Sequence, residues 1–178
     1  MTDTELIKAC LKHDRQSQKL LYERFHQQMY AICMRYCRQE FMAKEALQNG
    51  FIRVFINLNN FKLDLPLAPW IRAIMVNCSL DQLSKQKLTE DLNENSLVQK
   101  LTIVSHINEE MTAEEMMVLV NNMPEGYRTI FNMYVIDDLS HQEIAEILGI
   151  AESTSRTQLL KARRHLKNLL IKNYSQYL

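Results

Sequence analysis

The chain is nearly free of the residues that end a helix: three glycines and three prolines stand among 178 positions. Together they make up about 3% of the chain, against a usual level of roughly 12%. β-Sandwiches and barrels need a turn residue every few positions, and nucleotide folds need a glycine-rich phosphate loop. Neither has its material here. An all-α fold remains, and the length suits one domain of ordinary size or two small ones.

Apolar spacing places the helices. Leu21, Phe25, Met29, Ile32, Cys33 and Tyr36 recur every three to four residues and predict one face of a helix over Leu20–Cys37. Ala43, Leu47, Gly50, Phe51, Val54 and Leu58 predict a second. Gly50 in its middle costs about 1 kcal/mol of helix propensity, which points to a close approach by another helix at that position. Leu63–Pro69 holds two of the three prolines and reads as an irregular loop. A third helix is expected to restart at Trp70, with Ile71, Ile74, Met75 and Cys78 on one face. These pieces make a first domain over 1–88.

Residues 89–111 are polar and weakly periodic and read as a linker to a second domain, 112–178. Thr112 and Glu115 have capping-box spacing and open a helix expected to run through Met123. Pro124 suits a helix start, and Tyr127–Ile136 reads as one strongly apolar helix. Ser140 and Glu143 form a second capping box ahead of His141–Leu148, whose Ile144, Ile147 and Leu148 face inward. Gly149 supplies the left-handed stop, and a long helix follows over about Ser153–Leu170. Two helices joined by a short glycine-containing turn form either an ordinary helical hairpin or a helix-turn-helix, whose second helix enters the major groove.

Charge separates the two. The chain has 21 basic and 21 acidic residues, a net charge of zero that at first argues against a nucleic-acid partner. Taken in blocks, residues 1–40 carry +2, 41–88 +3, 89–104 −2, 105–150 −8 and 151–178 +5. The last block sets Arg156, Lys161, Arg163, Arg164 and Lys167 on or beside the second helix of the pair, as phosphate contact requires. No run nears the roughly 18 apolar residues of a membrane span, and no signal peptide is recognisable, so a cytoplasmic protein without membrane insertion is expected. Cys10, Cys33, Cys37 and Cys78 then read as reduced thiols packed in the core. Cys33 and Cys37 lie one turn apart with His26 on a similar face, short of the four closely spaced ligands of structural zinc. No metal and no cofactor is expected.

With these segments in place, the sequence resembles the extracytoplasmic-function (ECF) sigma factors of bacterial RNA polymerase. MPEGYRTIFNMYVIDDLSHQEIAEILGI at Met123–Ile150 is similar to their region 4, and QKLLYERFHQQMYAICMRYC at Gln18–Cys37, GFIRVF at Gly50–Phe55 and WIRAIMVNCSLDQL at Trp70–Leu83 to their region 2. The resemblance implies three partners: the RNA polymerase core (its beta-prime clamp and beta flap), promoter DNA and an anti-sigma factor. It implies that Ser153, Thr154, Arg156, Thr157, Gln158, Lys161 and Arg164 read the −35 element. Hydroxyls and backbone N–H groups at a helix start suit phosphate, and Arg or Gln suits a guanine or adenine edge. For Arg163, a solvated charged face is as good a reading. Region 2 would open the −10 element with Asn57, Asn60, Phe61, Lys62, Trp70, Arg72 and Asn77, although Trp70 reads equally as core. Glu45, Gln48, Asn49 and Arg53 fall on the polymerase-binding helix, and Asp81 on a position that caps or braces its own.

Three departures stand out. The family's clamp-binding helix carries several carboxylates, whereas here Lys44 reverses one and Asn49 removes another, shifting the contact toward apolar residues. Pro66 and Pro69 replace the glycine-containing loop of relatives, and Ala151 stands where a serine usually precedes the recognition helix, leaving Glu152 or Ser153 to cap. Competing readings are a DNA-binding regulator using the helix-turn-helix alone, which leaves the first 90 residues unexplained, and a sigma-like protein reduced to a protein-interaction module. Enzyme function has no metal motif, nucleophile constellation or phosphate loop behind it.

Overall fold

The computed structural model describes residues 1–90 and 112–174. The chain divides into two compact units, Met1–Ser96 and Leu97–Leu178, each of them helical, with no strand among the described residues. The linker expected over 89–111 lies outside the described residues except for Thr89 and Glu90, which still belong to a helix.

Four helices build the first unit: α1 (Asp3–Leu11), α2 (Arg15–Cys37), α3 (Glu40–Asn57) and α4 (Leu67–Glu90), with a 3₁₀ turn at Leu58–Asn60. Thr2 opens α1 with a capping box: the Glu5 carboxylate accepts from the Thr2 N–H at 2.7 Å, and the Glu5 N–H donates to the Thr2 hydroxyl at 3.3 Å. Asp14 does the same duty for α2, accepting from the Ser17 N–H at 2.9 Å. Each cap satisfies N–H groups that the first turn leaves without a partner. The six α2 residues expected on one face are all buried, as are Ala43, Leu47, Phe51 and Val54 of α3 and Leu58 after it. Gly50 is buried too, and a Cβ there would stand 2.2 Å from the Met75 sulfur of α4. The glycine is what lets α3 and α4 interlock.

Two expectations for α4 need correction. It begins at Leu67 rather than Trp70, because Pro69 falls in the first turn, where its missing N–H would have had no partner in any case. The irregular segment is therefore shorter than Leu63–Pro69. Ile74 is only half-buried, and the inward stripe of α4 runs through Leu67, Ile71, Met75, Cys78, Ser79 and Gln82. The four cysteines are free and buried, and burial pushes the Cys33 thiol up to about 12.

The second unit contains α5 (Ala113–Asn121), α6 (Glu125–Phe131), α7 (His141–Leu148) and α8 (Glu152–Tyr174). Both expected capping boxes form, Thr112 with Glu115 and Ser140 with Glu143. The single helix expected over Tyr127–Ile136 does not. After Phe131 the chain widens into a π-helical turn, Asn132–Ile136, closed by the Asp137 N–H donating to the Asn132 carbonyl at 2.9 Å. Helix α5 also stops two residues short of Met123, and α8 exceeds the expected Ser153–Leu170 at both ends. Leu119, Val120, Met123, Ile130, Phe131, Met133, Ile144, Leu159, Ala162 and Leu166 form the core.

Candidate nucleic-acid interface

Helices α7 and α8 make the helix-turn-helix. Gly149 holds φ +64° and ψ +35°, the left-handed geometry that ends α7, and α8 starts two residues beyond Ile150. Ala151 precedes α8 and its carbonyl accepts from the Thr154 and Ser155 N–H groups at 3.0 and 3.1 Å. Having no side-chain acceptor, Ala151 leaves the earliest N–H groups of α8 facing outward.

On α8 the buried residues are Ser155, Leu159, Ala162 and Leu166. The complementary face carries Ser153, Thr154, Arg156, Thr157, Lys161 and Arg164, all exposed, with Gln158 half-buried at its margin. All seven residues expected to read DNA thus lie on or beside one side. Arg156 is ion-paired with Glu152 one turn earlier, and the Thr157 hydroxyl donates to the Ser153 carbonyl at 2.9 Å. Leu160, 63% exposed, sits among these polar groups. Arg163 is placed differently, with its guanidinium 5.9 Å from the Tyr134 ring centre.

Residues expected at the −10 element run from the end of α3 through the turn that follows it into the first half of α4. Asn60, Lys62 and Asn77 are exposed, and so is Asn57, whose amide donates to the Arg53 carbonyl at 2.8 Å. Phe61 is buried, with its ring 5.0 Å from that of half-buried Trp70. Trp70 is therefore partly core and partly surface, with Phe61 as its support from within. Arg72 is half-buried, and its enclosed Nε has no partner among the described residues.

The expected polymerase face lies on α3. Gln48 and Asn49 are exposed and Glu45 is half-buried. Arg53 is held by Asp81 of α4 at 2.8 Å, so Asp81 braces one helix against the other. Lys44 pairs with Glu40 at 2.5 Å, and that bond holds its ammonium above the ordinary lysine range. On the same side of α3 stand Phe41, Ile52 and Ile56, of which Phe41 and Ile56 are 71% and 68% exposed. Sequence reading left these three out, although the spacing 41, 45, 48, 52, 56 is itself one helical stripe.

Residues 21–89 match the sigma-70 region 2 family model and residues 113–166 the model of sigma-70 region 4. In the same order and over nearly the whole length, the chain is 27% identical over 176 residues to the ECF RNA polymerase sigma factor SigW of Bacillus subtilis, covering 92% of this chain and 94% of that protein. It is 24% identical over 180 residues to the ECF RNA polymerase sigma-E factor of Haemophilus influenzae, with coverage of 94% and 95%. The chain belongs to the ECF sigma factors. It is thus an RNA polymerase sigma factor, from a family of non-catalytic transcription-initiation proteins.

Solved structures share the fold. The sigma factor RpoE of Bartonella quintana, solved with the anti-sigma factor NepR, has a TM-score of 0.61 at 16% identity, covering 85% of this chain and 95% of that one. CnrH, solved with the cytosolic domain of CnrY, has 0.53 at 17% identity, covering 94% and 96%. In this sigma factor no described helix is long and apolar enough to cross a membrane. Ser155 and His141, which sequence reading did not single out, are where α7 and α8 are tied together. Ser155 was findable, because it lies four residues before Leu159 and seven before Ala162 on the inward stripe.

Proposed function

We propose that this ECF sigma factor works in the cytoplasm, where it reads a −35 element with α8, opens a −10 element with the α3–α4 turn, and docks on the RNA polymerase core through α3. Carrying this reading is the outward face of α8, where Arg156, Lys161 and Arg164 are exposed together while the opposite face, Ser155, Leu159, Ala162 and Leu166, is buried. Ser153 and Thr154 stand at the start of α8, where their exposed hydroxyls meet phosphate. Arg156, Thr157, Gln158, Lys161 and Arg164 follow along the groove-facing side. In the first unit Trp70 offers a ring to an unpaired base, a stack worth about 1–3 kcal/mol, and Phe61 holds that ring from behind. Asn57, Asn60, Lys62, Arg72 and Asn77 frame the single strand. Residues 91–111 join the two reading units.

On α3 the polymerase contact uses Glu45, Gln48, Asn49 and Arg53 together with the apolar Phe41, Ile52 and Ile56. Lys44, already neutralised by Glu40 on its own helix, weakens attraction to a basic partner surface without repelling it outright. An anti-sigma factor covers these faces in the resting state; the complex of the Bartonella relative with NepR supports that regulation.

Run-off transcription with core polymerase on templates carrying candidate −35 and −10 elements tests the assignment. A promoter-dependent transcript that requires this protein is expected. Absence of both a transcript and core binding would sink the assignment in favour of an interaction module.

A further inference from the structure

We propose that His141 is the positioning residue that sets which side of α8 is presented to DNA, through a hydrogen bond to Ser155. The inference rests on the reading of α8 as the DNA-reading helix. His141 is the first residue of α7, and its Nδ1 stands 2.9 Å from the Ser155 hydroxyl of α8. Ser155 is 0% exposed, and its neighbours Thr154 and Arg156 are both exposed. One residue of rotation about α8 is roughly 100°, so a bond at Ser155, on the same buried stripe as Leu159, Ala162 and Leu166, fixes finely the angle at which Arg156, Thr157, Lys161 and Arg164 face outward. Tyr134 stacks on the imidazole with ring centres 4.4 Å apart and planes 24° apart, and Arg163 of α8 lies over that same tyrosine. The series Ser155, His141, Tyr134, Arg163 thus closes a loop from α8 through α7 and the π-helical turn back to α8.

Apolar residues packed here would hold the helices together with little preference for rotation. A hydroxyl bound to a ring nitrogen is directional, and it fails if either partner turns away. The charged groups facing the imidazole are Arg156 and Arg163, with Glu152 opposing them, all from α8; Tyr134 faces it from the π-helical turn. Burial first, then Arg156, hold His141 below the ordinary imidazole range, and the N-terminal end of α7 acts in the same sense. A group whose folded pKa is depressed contributes fully above its unfolded value and loses that contribution as pH falls through the folded one. Protonation adds a cation beside Arg156 and Arg163 and pushes apart the side chains that face DNA.

The test uses the full-length protein and a duplex library randomised over a short window, from which the preferred duplex is recovered. Fluorescence anisotropy then gives the ratio of affinities for that duplex and a shuffled one at pH 7.5 and 5.5. His141→Ala and Ser155→Ala are each expected to lower the ratio at pH 7.5 by ~10-fold, with the double variant no worse than either, as coupled partners behave. His141→Asn keeps a hydrogen-bonding atom near the Nδ1 position but cannot titrate. It is expected to restore the ratio and to remove the fall seen in the wild-type protein at pH 5.5. The pH comparison of wild type with His141→Asn stands even where an alanine variant unfolds. A full ratio in His141→Ala, or an equal fall at pH 5.5 in wild type and His141→Asn, overturns the lock alone. Recovery of no preferred duplex overturns the DNA-reading assignment of α8, and the lock with it.

Discussion

The two units present their functional helices in different ways. In the first, α3 is held by side chains that interpenetrate: Met75 occupies the space a Cβ at Gly50 would need, and Tyr36, Leu21, Met29 and Ile71 are fully enclosed around it. In the second, α5, α6 and α7 have nine residues or fewer, and helix ends do much of the holding. Capping boxes at Thr112 and Ser140, the left-handed Gly149 and the bond between His141 and Ser155 each fix a direction. A platform for polymerase tolerates being a broad, densely packed body. A reader of base edges needs its helix set in rotation, which burial alone specifies poorly because dispersion and hydrophobic contact have little directionality.

The sharpest way to break this contrast is to overfill the first unit. Gly50→Leu is expected to cost about 3 kcal/mol by forcing α3 from α4, read as a lower urea midpoint from the fluorescence of Trp70, the one tryptophan in the chain. Adding Met75→Ala should return part of the loss, and a variant pair without such recovery would show that Gly50 is not the point of interlock. If the packing account is right, the helix-turn-helix transition stays where it was.

Helix-end changes act on the other unit. Gly149→Val puts a β-branched residue at φ +64° and should cost about 1–2 kcal/mol, seen as earlier melting of the second unit with Trp70 fluorescence unchanged. Ser140→Ala removes one cap and should cost about 1 kcal/mol, measured the same way. A shift below the error of the melt would mean that packing, not capping, holds α7.

The smallest effect belongs to the surface. Lys44→Glu is expected to tighten association with core polymerase a few-fold at low salt, an advantage that shrinks as salt screens it. Equal or weaker binding would place this position off the interface and leave Phe41, Ile52 and Ile56 as its determinants.

Much of this was legible beforehand. Most of the inward face of α2 was in the sequence because a 23-residue helix repeats its pattern over six turns, although the helix begins at Arg15 rather than Leu20 and buries Ser17 and Cys37 as well; α7 kept its expected ends because a capping box and a glycine bracket it. Helix α4 began earlier than its prolines suggested, since the first turn needs no N–H at Pro69. The π-helical turn after Phe131 was hidden, because apolar spacing over five residues does not distinguish it from an α-turn. Among site residues, exposure of the α8 basic face followed from periodicity. Burial of Phe61 behind Trp70, the Arg53–Asp81 brace and the Glu40–Lys44 pair did not, since each depends on which neighbour a side chain meets.

By itself the sequence determined the helices, their order, the opposite charges hidden in a net charge of zero, and the family. Local forces suffice for these: propensity, capping and apolar spacing act within a few residues. Tertiary structure alone decided what Ser155 of α8 meets, because its hydrogen bond to His141 spans 14 residues and the stack behind it comes from Tyr134, in a third element.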